Sequence, residues 1–262
     1  MLFTYALLFY LLALFCIILY SFINIRFSKN IYTIFVLIGL LFNGAHIVNR
    51  WLSTKYFPTT SLSDILIFLC FILISMSIFI SINSKKPAMV SITLPFVLIL
   101  GILSMIFWDE PNVKLYNNTF WLYIHLPSII IGTAFLISSA FASVIYLYQE
   151  KRLRGKNLNL ISEQIPPLEF IDKINIYSLI AGFILFTIGL LSGIIWDFYE
   201  VEPYKIKAKV IFSIITWIIF GLILFLKNKK GLPPGKSALW SVIGFLFIFI
   251  TYFGVAIFLR DN

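Results

Sequence analysis

The chain has 262 residues, of which 61% are hydrophobic, 18% aromatic and only 12% charged. That charged share is about half of what a soluble domain carries, so the composition describes an integral membrane protein and excludes a water-soluble one. The formal charge of +9 sits in short loops between apolar runs, where it reports orientation against a bilayer rather than affinity for nucleic acid.

A hydrocarbon core of about 30 Å needs roughly 20 apolar residues per helix. Eight stretches qualify: 3–24, 31–53, 62–82, 88–107, 120–148, 171–196, 208–226 and 238–259. Uninterrupted runs of this length predict an all-α bundle of about eight transmembrane helices and exclude an outer-membrane barrel. No connection is long enough for a second core, so residues 1–262 read as a single membrane domain. The first stretch has no basic n-region and no small-residue cleavage site, and reads as a retained helix.

The connections after the first, third, fifth and seventh stretches hold thirteen of the twenty Lys and Arg residues. The positive-inside rule then places both termini on the extracytoplasmic side of a cell membrane, cytoplasmic or inner. The longest connection, 149–170, is cytoplasmic on this reading. Its "QEKRLRGKNLNLISEQIPP" is polar with an Ile/Leu stripe, suited to a linker or to the membrane surface.

Cys16 and Cys70, the only two cysteines, lie mid-segment with no CxxC, and read as small buried hydrophobes. Polar groups inside the spans are more informative. In the second stretch Asn43, His46 and Arg50 fall on one helical face, and such a face in lipid must look into the bundle. The only other histidine, His125, lies about one turn into the fifth stretch. His46 lies roughly 10 Å below the end of its own helix, at 1.5 Å per residue. The two imidazoles are thus expected at matched depth near the outer face.

An imidazole there can relay protons, bind a metal or ligate haem iron. Zinc wants more ligands than two histidines. A relay wants acidic partners in the bilayer, and Asp64, at the outer start of the third stretch, is the one candidate. Haem fits better: two axial histidines complete the iron, with Trp51, Tyr56, Phe57, Trp121 and Tyr123 available as walls. Two Trp-Asp loops, 108–119 and 196–209, flank the same level. Lys205, Lys207 and Lys209 of the second can attract propionates or other anions, or simply snorkel. Gly189-x-x-x-Gly193 reads as a close-packing seam within the bundle. Asn117-Asn118-Thr119 matches an N-x-[ST] pattern and carries little.

Several segments resemble, in order, the cytochrome c assembly family of haem-handling membrane proteins, which includes CcsA/ResC-, CcmC- and HemX-type members. "FPTTSLSD" (57–64) resembles the family's Pro-x-x-Asn-x-x-Glu signature. "LYIHLPSIIIGTAFLISSAFASVIYLYQEKRL" resembles the helix with a histidine at its outer end, and His125 falls on that histidine. "LEFIDKINIYSLIAGFILFTIGLLSGIIW" keeps the Gly-x-x-x-Gly-x-x-Trp ending as Gly189, Gly193 and Trp196. "IITWIIF" and "WSVIGFLFIFITYFGV" resemble the last two helices. The family's full external Trp-rich "WWD" run is absent: Trp196 and Lys209 survive, Lys207 stands for the Asp and Phe212 for a Trp. The histidines that follow the last two segments in the family are absent too, which brings the chain closer to HemX-type members.

The resemblance implies a haem-binding protein of cytochrome c-type biogenesis, not a classical enzyme but a subunit of a haem-attachment system. It would present haem at the outer face through His125, with His46 as second ligand and Trp121, Trp196 and Arg50 around the cofactor. Implied partners are haem, a second membrane biogenesis subunit and apocytochrome c. Two other readings stay open: a HemX-type regulator of haem synthesis acting through the 149–170 segment, and a transporter of haem or another hydrophobic anion.

Overall fold

A computed structural model describes the chain except for residues 24–27, 56, 60, 109–119, 156–164, 201–207 and 251–262. The described residues form eight helices: α1 (Leu2–Ile23), α2 (Ser28–Thr54), α3 (Leu62–Ser84), α4 (Ala88–Ile106), α5 (Phe120–Arg154), α6 (Leu168–Glu200), α7 (Ala208–Lys230) and α8 (Pro234–Phe249). Seven of them are long and apolar enough to cross a membrane; α8 contributes 16 described residues. The chain is an all-α, multi-pass membrane protein. Expected limits agree to within a few residues, except that α5 and α6 continue past their apolar portions. At 1.5 Å per residue the 35 residues of α5 span roughly 50 Å, more than a hydrocarbon core. Its extra turns carry Lys151, Arg152 and Arg154, and Arg154 closes an i,i+4 pair with Glu150 at 2.8 Å, which favours helix where charge suggests loop.

The helices cluster into two compact units, Met1–Asn117 and Asn118–Asn262. In the first, α1 packs on α2 and α4, and α3 packs on α2 and α4. The buried stripe Phe3, Ala6, Tyr10, Ala13, Ile17 of α1 recurs at helical spacing and meets α2 in antiparallel register. Phe3 lies against His46, Tyr5 against Phe42 and Phe9 against Phe35. Gly39 makes this possible, because a Cβ there would meet the Tyr10 ring at 2.6 Å. Ser61 caps α3 by accepting a hydrogen bond from the Asp64 amide at 3.1 Å, satisfying a donor that the helix start leaves open. The opposite faces of α1 and α2 expose Leu8, Leu11, Phe15, Leu41 and Val48, a surface suited to lipid tails and not to water.

In the second unit α5 is the central helix, packed on α6 and α8, while α7 packs on α6 and α8. The core holds Leu136, Leu179, Phe186, Phe220, Ile223 and Ile248. Small residues let α5 and α6 approach closely. A Cβ at Gly132 would lie 2.6 Å from the Phe186 backbone nitrogen, and one at Gly189 would lie 2.8 Å from that of Ile129. The glycine pair of α6 is therefore a seam within the bundle, as the motif suggests. Polar groups lock the same helices. The Asn175 Nδ2 lies 2.6 Å from Ser143 Oγ and 3.0 Å from Ser139 Oγ, and Trp217 Nε1 donates to Thr187 Oγ1 at 2.8 Å. Lys227 of α7 pairs with Asp172 of α6 at 2.9 Å.

Candidate functional site

The two histidines fall in different units, and each has its own surroundings. His125 sits in the second turn of α5, directly over the α5–α6 seam. A Cβ on Gly193 would touch its ring at 2.5 Å, so the imidazole fills the space that the missing side chain leaves. Its Nδ1 lies 2.6 Å from the Gly189 carbonyl oxygen. A carbonyl can only accept, so Nδ1 carries the proton and the basic lone pair of the neutral ring is on Nε2. Metal-ligating histidines are oriented in this same way, by a backbone carbonyl on the far nitrogen. Pro127, two positions on, has no N–H to give the Tyr123 carbonyl, loosening the first turns of α5 around the histidine.

Trp196 follows Gly193 by three residues on α6, and its indole Nε1 is buried without a hydrogen-bond partner. Trp121 precedes His125 by four residues on α5, one turn away, with its ring against Phe120 at 5.7 Å between centroids. Tyr123, read as a wall residue, is 51% exposed and points away from the buried side of α5.

In the first unit His46 is held more loosely. Its ring has Phe3 at 5.8 Å and Trp108 at 6.3 Å, while its buried Nε2 has no hydrogen-bond partner. One turn on, the Arg50 guanidinium lies over the Trp108 ring at 4.9 Å, and its Nε meets Asp64 Oδ1 at 3.3 Å. Both charges are largely shielded, at 14% and 2% side-chain exposure, which places this pair inside the bundle where an unpaired ion would be costly. An opening of about 310 Å³ is lined by Met1, Leu2, His46, Asn49, Arg50, Ser53 and Trp108. Asn43, His46 and Arg50 do share one face, as their spacing predicts. Trp51, by contrast, is 49% exposed and packs edge-on against Phe57 at 5.8 Å, apart from the opening.

Sequence reasoning missed Trp108 and Phe3 as neighbours of His46, and the Gly189 carbonyl as the partner of His125. The i,i+4 step from Gly189 to Gly193, facing a histidine on the preceding helix, was the available signal for the last. Tyr56, residues 109–119 with Asn117-Asn118-Thr119, Lys205, Lys207, residues 156–164 of the 149–170 segment and residues 201–207 of the 196–209 segment lie outside the described residues.

Eight helices among the described residues, seven of membrane-spanning length, define a polytopic membrane protein, with a carbonyl-oriented imidazole at the end of a glycine seam. The comparisons place it further. A profile of the family described as Cytochrome C assembly protein matches residues 59–260, and the chain belongs to that family. It is 26% identical over 263 residues to the cytochrome c biogenesis protein CcsA of Prochlorococcus marinus (strain MIT 9312), covering 87% of this chain and 83% of the relative. It is 24% identical over 280 residues to CcsA of Mesostigma viride, with 93% and 90% covered. The spinach (Spinacia oleracea) CcsA is 29% identical over 271 residues, with 85% and 80% covered.

The family implies haem, and the residues present suit it. The Gly189 carbonyl places a proton on His125 Nδ1 and orients the ring. His46 Nε2 and Trp196 Nε1 are buried polar atoms without protein partners, one able to ligate and the other to donate.

Proposed function

We propose that this chain handles haem during the assembly of c-type cytochromes, holding it at the extracytoplasmic end of the bundle, with both termini on that side. His125 is the primary ligand. Its Nδ1–H bond to the Gly189 carbonyl, at 2.6 Å, is the single observation that carries the reading: it fixes the tautomer, aims the ring and raises the basicity of Nε2. Gly193 leaves the ring its place, and Trp121 and Trp196 supply apolar walls, with the Trp196 N–H as a donor. In the first unit His46 offers a further imidazole, with Arg50 nearby to meet a carboxylate. Haem supplies the iron porphyrin that an apocytochrome receives; this chain's work is to ligate, orient and shield it. A second membrane biogenesis subunit and apocytochrome c are the partners, in a cytoplasmic or equivalent inner membrane. The function is supported by family membership and by the curated relatives' role in cytochrome c biogenesis.

The test is complementation. In a strain lacking the chain, wild type restores covalently haem-stained c-type cytochromes and His125→Ala does not, with both proteins present in the membrane at equal levels. Full restoration by His125→Ala would remove the reading.

A further inference from the structure

The first unit holds an unusual set of unsatisfied groups. The Tyr10 hydroxyl, both polar atoms of the Asn43 amide, His46 Nε2 and Asp64 Oδ2 are all buried without a hydrogen-bond partner. Tyr10 and Asn43 are each 0% exposed and Asp64 3%. The Tyr10 hydroxyl looks toward Asn43, yet no hydrogen bond of acceptable geometry closes between them. These side chains are not scattered. Asn43, His46 and Arg50 share one face of α2, Asp64 meets that face through Arg50, and Tyr10 packs on Gly39 one turn below Asn43.

Magnitude decides what this means. Each such group, left dry, costs about 1–3 kcal/mol. Five polar atoms together would cost on the order of 5–15 kcal/mol, as much as the whole stability of a typical domain. Buried polar groups are satisfied by protein or by ordered water, and protein partners are missing at all five. The opening of about 310 Å³ lies at the His46 and Arg50 end of the same face, with room for several water molecules. Below Tyr10 the face turns apolar: Ala13 and Ile17 of α1 are buried.

We propose that the first unit contains a blind, water-filled inlet that admits water and small hydrogen-bonding solutes from the Arg50 end, past His46 and Asn43, to the Tyr10 hydroxyl. It stops at the Ala13 level, one turn below Tyr10 on α1, so it hydrates the upper part of the unit without crossing it. The inlet stands independently of haem ligation.

Single cysteines in a Cys16→Ala, Cys70→Ala background test it, with a membrane-impermeant sulfonated methanethiosulfonate on the full chain in vesicles. Ser53→Cys at the opening and Asn43→Cys in the inlet react at rates within about ten-fold of each other, while Ala13→Cys and lipid-facing Leu41→Cys react at least roughly 100-fold more slowly, because only a hydrated, ionised thiol attacks the reagent. Asn43→Cys as inert as Leu41→Cys overturns the inlet, and Ala13→Cys as fast as Asn43→Cys overturns its blind end. Should Asn43→Cys fail to fold, hydroxyl-radical footprinting of the wild-type protein decides: Tyr10 gains oxygen and lipid-facing Phe15 does not, whereas an unmodified Tyr10 overturns the proposal.

Discussion

The two histidines of this chain occupy opposite kinds of setting. His125 is tied: a backbone carbonyl holds its Nδ1 and a glycine makes room for its ring. His46 is open: aromatic rings flank it, its Nε2 has no protein partner, and a cavity reaches it. The difference teaches two ways in which a membrane bundle sets an imidazole. One unit does it by close packing, with a glycine and a backbone carbonyl against the ring. The other does it by leaving polar groups unsatisfied, which only hydration or a ligand can relieve.

That contrast can be broken by substitution. The largest effect belongs to the seam. Gly132→Leu drives a side chain into the Phe186 backbone, which cannot yield as a flexible side chain can; it should lower stability by about 3 kcal/mol or more, read as loss of monodisperse protein after mild heating in detergent. Asp64→Asn in the open unit leaves the shielded Arg50 charge without its carboxylate. A loss of about 2 kcal/mol follows, and Asp64→Asn with Arg50→Gln together should recover part of it. Asn175→Ala removes a buried amide, but Ser143 and Ser241 already donate to the Ser139 and Ser237 carbonyls. Its cost should therefore be about 1 kcal/mol, measured by thermal unfolding in the same detergent. Lys173→Ala removes only the exposed pair with Glu169 and should leave the unfolding midpoint unchanged.

Much of the architecture was legible in the residues because the bilayer imposes a length and an apolar composition on each span. The limits of α3 and α4 came out nearly exact for that reason. The continuation of α5 to Arg154 and α6 to Glu200 did not, because hydropathy marks the lipid-facing part of a helix and is silent once charged turns leave it. At the site, the α2 face was legible from the spacing of Asn43, His46 and Arg50. Asp64 stood out as an acidic residue at the start of α3, yet its pairing with Arg50 depends on how α2 and α3 pack. The bond from His125 to Gly189 spans 64 positions and needs the register of α5 on α6. Tyr10 was invisible for a simpler cause: a tyrosine amid Leu and Phe reads as core, and nothing local marks its hydroxyl as unpartnered.

Absorption and electron paramagnetic resonance spectra of the protein purified from haem-replete cells test ligation through the tied histidine most directly. Wild type should show a Soret band with a low-spin signal. His125→Ala should lose the band or turn high-spin, with added imidazole restoring the wild-type signal. A Soret band and spin state untouched by His125→Ala would contradict the account.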